Sequence, residues 1–403
     1  MAETSDAKKE QIKATRNATR ERRKTQTCKC YTLKIVQNRL NKTQKQYLHK
    51  VFIEAKWFYN FLLSQENIFD CLELTKLKEV QIKTLNGFEK RKIEFLSSQT
   101  RRSLFDRLCN SIKGLSVLKS KDFTVGRLKF KPEINSIDFI QHKISWQIKA
   151  NKIKLQGLKE PLAVRGLEQI KGDFELANCK LVRRASGYYL QITTYQEVQE
   201  REKTRKVVGL DFGIKDNITT SNNEKYNFKF PESEKLKRLQ THFARKKKGS
   251  KNRYKLLSQI KKEYEKTSNA KKDACNKFTS KLQSENDLIV IQDELINLWH
   301  KGIFGKQVQH SILGAIKSKL KTFESTLVLS SKEPTTKMCF CGFKNDIQLK
   351  DRVFKCQKCK FEMERDLKSS LYILHRGLQQ KAISCGTQDY TYGEAYKSLI
   401  TVI

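Results

Sequence analysis

The order of elements after residue 205 is what most restricts this chain. Lys206-Val207-Val208-Gly209-Leu210-Asp211-Phe212 is a short apolar run carrying a carboxylate near its end, the pattern of a strand buried on both faces. Gly213 follows, then a second strand at Ile218-Thr219-Thr220, an Asn222-Asn223 turn and a third strand near Tyr226–Phe230. Residues 233–286 have the periodicity of a long helical hairpin dense in Lys and Arg. Leu288-Ile289-Val290-Ile291-Gln292-Asp293-Glu294 is again a buried strand with acids at its end. A helix near 306–323, a strand at Thr326–Ser330 and a helix opening at Glu364-Arg365-Asp366 complete the series.

A three-stranded meander followed by helix, strand, helix, strand and helix is the order of an RNase H-like core. That order fixes where acids can meet. It puts Asp211 on the first strand, Glu294 at the end of the fourth and Asp366 at the start of the last helix, facing one another across the sheet edge. Three carboxylates there suit a pair of Mg²⁺ ions about 3.5–4 Å apart, the arrangement that hydrolyses phosphodiesters. Asp293 competes with Glu294, because neighbours on a strand point to opposite faces. Glu364 competes with Asp366, which precedes the apolar period Leu367, Leu371, Leu374 and suits an N-cap. Taken singly, an Asp after a strand is commonly a turn residue and an Asp before a helix a cap. The triplet in this order is what points to chemistry.

Between the last strand and the last helix lie Cys339-Phe340-Cys341-Gly342 and Cys356-Gln357-Lys358-Cys359, with fourteen residues from Cys341 to Cys356. Four thiolates with this spacing form a zinc ribbon holding a structural Zn²⁺. The first pair is Cys-x-Cys, one residue shorter than the usual knuckle. The other seven cysteines are mostly scattered, and no signal-peptide pattern opens the chain, so the reading is a reducing, cytoplasmic compartment.

Charge narrows the partners. Lys and Arg number 82 against 43 Asp and Glu, a net +39 spread along all 403 residues. So large an excess demands a polyanion, and nucleic acid is the natural one. No stretch approaches the ~20 apolar residues of a membrane span. Residues 245–255 carry seven basic side chains in eleven positions, and Arg245, Lys246, Lys247, Lys248, Lys251 and Arg253 are the expected phosphate contacts. Arg101 and Arg102, on the outside of a helical block, are expected to join them. Trp57, Phe58, Tyr59 and Phe61 could stack on bases, although Phe58 and Phe61 fall at core spacing.

The first 200 residues read as a basic tail (1–27), unstructured or helical only on RNA, then a β-domain formed by 28–42 and 119–203. A helical block at 43–118 is inserted in it. Val125–Lys131, Ile153-Lys154-Leu155 and Leu181–Arg184 alternate as strands, and Ser186-Gly187 turns into a strand at Tyr188–Thr194.

Val208-Gly209-Leu210-Asp211-Phe212-Gly213, Gln292-Asp293-Glu294 with Trp299-His300 and Gln309-His310-Ser311, Pro334-Thr335-Thr336 before the cysteines, and Arg365-Asp366-Leu367-Lys368-Ser369 resemble the motifs of TnpB proteins. Ser250-Lys251-Asn252-Arg253 and Trp57-Phe58-Tyr59-Asn60 fit as well. The similarity spans roughly 28–376. TnpB proteins are transposon-encoded and similar to the smallest type V CRISPR effectors. The resemblance implies an α+β multidomain protein: a β-barrel wedge domain with a helical recognition insert, and an RNase H-like (RuvC) nuclease domain at 204–333 and 364–380. The zinc ribbon, 334–363, is inserted in that domain as a target-binding module, and a tail occupies 381–403. It also implies a guide RNA and a double-stranded DNA target cut by one Mg²⁺-dependent site, with one or two protein copies per RNA left open. The alternatives are an RNA-guided repressor that does not cut and an RNase H-like transposase.

Overall fold

The computed structural model describes residues 6–385, except 85, 171, 173, 199–201 and 349, and the chain divides into two units, Met1–Glu200 and Arg201–Ile403. The expected tail at 381–403 falls outside the described residues beyond Cys385. Among the described residues no helix is long and apolar enough to cross a membrane.

The first unit opens with helix α1 (Asp6–Lys24), where the sequence suggested an unstructured tail or one that folds on RNA. Its last turn supplies the anchor. Arg22 and Arg23 pair with Glu175 at 2.7 and 2.6 Å, and the Arg23 guanidinium lies 4.4 Å above the Tyr195 ring. Strand β1 (Gln26–Ile35) follows. Helix α2 (Lys42–Leu63) starts at a reciprocal capping box between Asn41 and Gln44, and buries Leu48, Val51, Phe52, Ala55, Phe58 and Leu62, the face its spacing defines. Tyr59 is buried too, which removes it from the base-stacking candidates.

The segment to 118 is not helical throughout. A β-hairpin, β2 (Glu79–Thr84) and β3 (Gly87–Lys92), stands between α2 and α3 (Ser98–Lys119). The reason is local: Val80, Ile82 and Thr84 alternate with polar residues, and only that face turns inward.

Strands β4 (Ser136–Phe139), β5 (Trp146–Lys149), β6 (Lys152–Leu155), β7 (Leu162–Arg165), β8 (Glu175–Arg184) and β9 (Gly187–Glu197) join β1 in one sheet of order β4-β8-β9-β1-β7-β6-β5. The sheet curls into a nearly closed barrel. Trp146, in the last strand of that order, donates its indole N–H to the Ala177 carbonyl on β8, next to the other edge, at 3.3 Å. Val125–Lys131 is not a strand. One side chain takes the place of a ladder there: the Asn60 amide donates to the Lys131 carbonyl at 3.0 Å and accepts its N–H at 2.9 Å.

In the second unit β10 (Val207–Phe212), β11 (Ile218–Thr220) and β12 (Lys225–Tyr226) form the antiparallel meander. Helices α4 (Glu234–Ala244) and α5 (Lys251–Glu285) make the basic hairpin. Then come β13 (Leu288–Gln292), three short helices, α6 (Ile296–Trp299), α7 (Gly305–His310) and α8 (Leu313–Leu320), and β14 (Thr326–Leu329). Strands β10, β13 and β14 run parallel, and the sheet order is β12-β11-β10-β13-β14. Strands β15 (Val353–Lys355) and β16 (Glu362–Glu364) pair beside the cysteines, and α9 (Arg365–Cys385) runs five residues beyond the expected domain end at 380. Helix α9 packs across β10, β11, β13 and β14.

Candidate active site and metal centre

Two features of the sheet bring the acids together. Because β10 and β13 are parallel, with Leu210 opposite Ile291, their carboxyl ends share one edge, and Asp211 and Glu294 both lie there. The third acid arrives on α9, which lies against β10 at Gly209. A methyl group at position 209 would stand 2.3 Å from the Ser370 carbonyl oxygen and 2.8 Å from Leu374 Cβ, so only glycine lets the helix approach. Ser370 is one turn beyond Asp366.

The electrostatics register the convergence. Burial raises the Asp211 pKa well above the usual carboxylate range, Asp366 and Glu294 add to the rise, and Arg365 and Lys368 oppose it. Burial also raises Glu294, against the pull of Lys317 and with a further push from Asp293. Asp366 accepts two hydrogen bonds from the Arg365 guanidinium, both 3.1 Å, and Arg352 stands 3.8 Å away. Asp366 therefore lies inside the first turn of α9, which begins at Arg365, and is not the N-cap its sequence position suggested.

The competing acids face elsewhere. Asp293 turns toward α8 and pairs with Lys317 and Lys321 at 2.7 and 2.6 Å, and these ammonium groups hold its carboxyl below the usual range. Glu364 pairs with Lys225. Strand phase is not what separates Asp293 from Glu294. β13 ends at Gln292, and the Glu294 N–H bonds back to the Gln292 carbonyl at 2.9 Å in a tight turn. Gln292 is buried and bridges the next loop: its amide donates to Ser330 and Glu333 carbonyls and accepts from the Thr335 hydroxyl.

The four cysteine sulfurs form a tight set. Among the described residues, the ligand atoms of Cys339, Cys341, Cys356 and Cys359 all lie within 4.8 Å of one another. Cys339 and Cys359 sulfurs are 3.6 Å apart, Cys341 and Cys356 3.7 Å. Tetrahedral Zn–S bonds of about 2.3 Å would put sulfurs about 3.8 Å apart, so the donors fit zinc. The short Cys-x-Cys pair closes because Gly342 takes the left-handed region (φ 79°) and its N–H returns to the Cys339 carbonyl at 3.0 Å. The thiols titrate unequally. Burial pushes Cys339 up to about 12; at Cys356 backbone N–H groups outweigh burial and hold it down to about 6.

Lys368 ties the cysteines to the carboxylates and was not singled out from sequence. It is wholly buried in α9, two residues past Asp366, donates to the Thr335 and Thr336 carbonyls at 2.8 and 2.9 Å, and lies 4.1 Å above the Phe354 ring. Burial pulls its ammonium down to about 7, against the nearby Cys339, Asp211 and Cys356. Only its place inside the Arg365–Ser369 motif, not its type, could have flagged it.

Two residues expected to contact phosphate donate to backbone carbonyls. Arg101 is 7% exposed and donates to the Thr75 and Leu96 carbonyls, because its position on α3 faces the neighbouring loop. Arg253 caps the end of α4, donating to the Phe243 and Lys246 carbonyls with its guanidinium 3.8 Å above the Phe243 ring. Arg102 is exposed and pairs with Asp106, and Arg245, Lys246, Lys247, Lys248 and Lys251 are exposed.

Comparison with known proteins agrees with these motifs. Residues 190–296 match the OrfB_IS605 family model, described as a probable transposase, and residues 310–373 match the Cas12f1-like TNB domain. A curated relative from Streptomyces pristinaespiralis, named a putative RNA-guided DNA endonuclease, is 25% identical over 263 residues. The match takes in 62% of this chain and spans 64% of the relative's length. A chain from a cryo-EM structure of a Cas12f1–sgRNA–target DNA complex is 16% identical, with 86% of this chain and 99% of that one covered and a TM-score of 0.23, too low to speak to the fold. The matches support a TnpB-like effector, the family that the motifs resemble.

Proposed function

We propose that this chain is an RNA-guided DNA endonuclease whose cutting site is Asp211, Glu294 and Asp366. One observation carries the reading: β10 and β13 are parallel and α9 packs on β10 at Gly209, so Asp211 on β10, Glu294 in the turn after β13 and Asp366 in the first turn of α9 meet at a single sheet edge, where Asp366 and Glu294 add to the rise that burial gives Asp211. Carboxylates that repel one another this way are a fitting set for divalent cations, and hard oxygen donors suit Mg²⁺. Two Mg²⁺ ions held there would supply the charge that activates water and stabilises the leaving oxygen.

The chain's own residues do the positioning. β10 fixes Asp211, the turn after β13 fixes Glu294, and Arg365 orients the Asp366 carboxylate. A water oxygen bonds to phosphorus as a strand P–O bond breaks, and the departing oxygen takes up the proton. In this reading 204–333 and 364–380 form a RuvC-type, RNase H-like domain and 334–363 a zinc ribbon. The barrel is a wedge domain and the 43–118 segment a recognition insert. Exposed lysines at 246–248 and 251, with Arg245, take phosphates. A bound RNA pairs with the target while the protein reads a short flanking duplex. The relative's name supports the same activity.

The test is cleavage of a plasmid library, with Mg²⁺ and with the RNA that co-purifies on expression sequenced to define the guide. Guide-directed cuts are the expected result. RNA-loaded protein that never cuts, under any guide, overturns the reading.

A further inference from the structure

The hairpin β2–β3 has two unlike faces. Inward, Val80 is 1% exposed, and Arg91 opposite it lies 5.2 Å above the Trp57 ring. Glu89, opposite Ile82, is engaged by Arg91 and Thr84. Outward, strand alternation and the register Gln81↔Lys90, Lys83↔Phe88 and Glu79↔Lys92 assemble one solvent-facing patch. All six residues are exposed, and Phe88 is 68% exposed. Among the described residues Phe88 does not belong to the first unit's hydrophobic cluster, and its ring is held out beside lysines on the ribbon.

Charge selects the partner. Three lysines share this face with a single acid, Glu79, which sits at the base opposite Lys92. A polyanion fits, and shape decides which one. A two-stranded ribbon, with strands about 4.8 Å apart, enters the ~12 Å major groove of B-form DNA. The major groove of A-form RNA is too deep and narrow for side chains to read. The side chains present also match base edges: Gln pairs with adenine, Lys with guanine, and an aromatic ring packs on the thymine methyl.

We propose that the outward face of β2–β3, through Gln81, Lys83, Phe88 and Lys90, enters the major groove of duplex DNA and reads the base pairs flanking the target. The inference rests on the proposed RNA-guided activity for its biological setting, but not for its contact. In groove order, the register places Lys83 and Phe88 toward the hairpin end and Gln81 and Lys90 one step behind. Lys92 falls nearer the base, suited to a phosphate.

The direct test puts a benzophenone amino acid in place of Phe88 in the full-length, RNA-loaded protein and irradiates it with a guide-matched DNA target that carries flanking duplex. The expected crosslink is to the flanking duplex, in the major groove. A crosslink to RNA alone, or none, overturns the proposal. A second measurement uses a target library with randomised flanks. Phe88→Ala and Gln81→Ala should relax base preference at one or two flanking pairs by about 5- to 150-fold. Lys83→Ala with Lys90→Ala should relax that preference further and weaken DNA binding. Retained RNA and an unchanged thermal midpoint show that the fold is intact. Wild-type flank preference in all these variants also overturns the proposal. If the crosslink forms but no DNA is ever cut, the endonuclease reading fails and this contact stands.

Discussion

Asp293→Asn and Glu294→Gln are neighbouring substitutions of similar size that should behave in opposite ways. Asp293 makes two ion pairs, to Lys317 at 2.7 Å and Lys321 at 2.6 Å, and its side chain is 40% exposed. Exposed pairs contribute about 0.2–1 kcal/mol each, so Asp293→Asn should lower stability by about 2 kcal/mol at most and leave cleavage within a few-fold. Glu294 contributes one of the two negative charges that raise Asp211. Cation ligation there stabilises transition-state charge by several kcal/mol, and each 1.36 kcal/mol is tenfold in rate, so Glu294→Gln should slow cutting by at least about 100-fold. The same change removes a repulsion, so the metal-free protein should be as stable as wild type or more so. Single-turnover cleavage in Mg²⁺ and urea unfolding in chelator measure the two quantities. Cleavage lost in Asp293→Asn and kept in Glu294→Gln would refute the assignment.

Gly209→Ala drives a methyl group into the Ser370 carbonyl, a backbone obstacle, and should cost about 1–3 kcal/mol or more by moving α9, with cleavage lost alongside; chemical denaturation reads the first and a cutting assay the second. Cys341→Ser, or a strong zinc chelator, should release one zinc per chain and loosen 334–363, seen as new protease cleavage there; full metal content in the Cys341→Ser protein would contradict a four-thiolate site. Lys247→Ala should lower the salt dependence of nucleic-acid binding by about one phosphate contact without altering stability, whereas Arg101→Ala should unfold the first unit more readily by roughly 2–4 kcal/mol and leave the salt slope alone.

Much of the fold was legible because period and punctuation agreed. Asn41 and Gln44 announce α2, and the six apolar positions that follow at three- and four-residue steps are all buried. The runs at 207–212 and 288–292 are buried strands, and their carboxyl ends do share an edge. Four cysteines do converge, since a left-handed glycine absorbs the residue missing from the first knuckle.

What stayed hidden depends on partners that sequence does not name. The alternation at 79–84 lies between two strong helices and drew its hairpin partner from 87–92. The alternation at 125–131 found no strand to pair with, only the Asn60 amide. Arg101 and Arg253 were counted as charge, yet each donates to backbone carbonyls, which a charge count cannot see. Strand phase favoured Glu294 for a reason that fails, since β13 stops two residues earlier; the Lys317 and Lys321 pairs are what turn Asp293 away.

The most direct test of the central claim separates cutting from binding. RNA-loaded wild type and Asp211→Ala are given the same guide-matched, Mg²⁺-containing target, and both cleavage and DNA binding are measured. If the acids form one hydrolytic site, Asp211→Ala binds DNA as wild type does and does not cut. Equal cutting by the two proteins, or none by either while both bind, contradicts it.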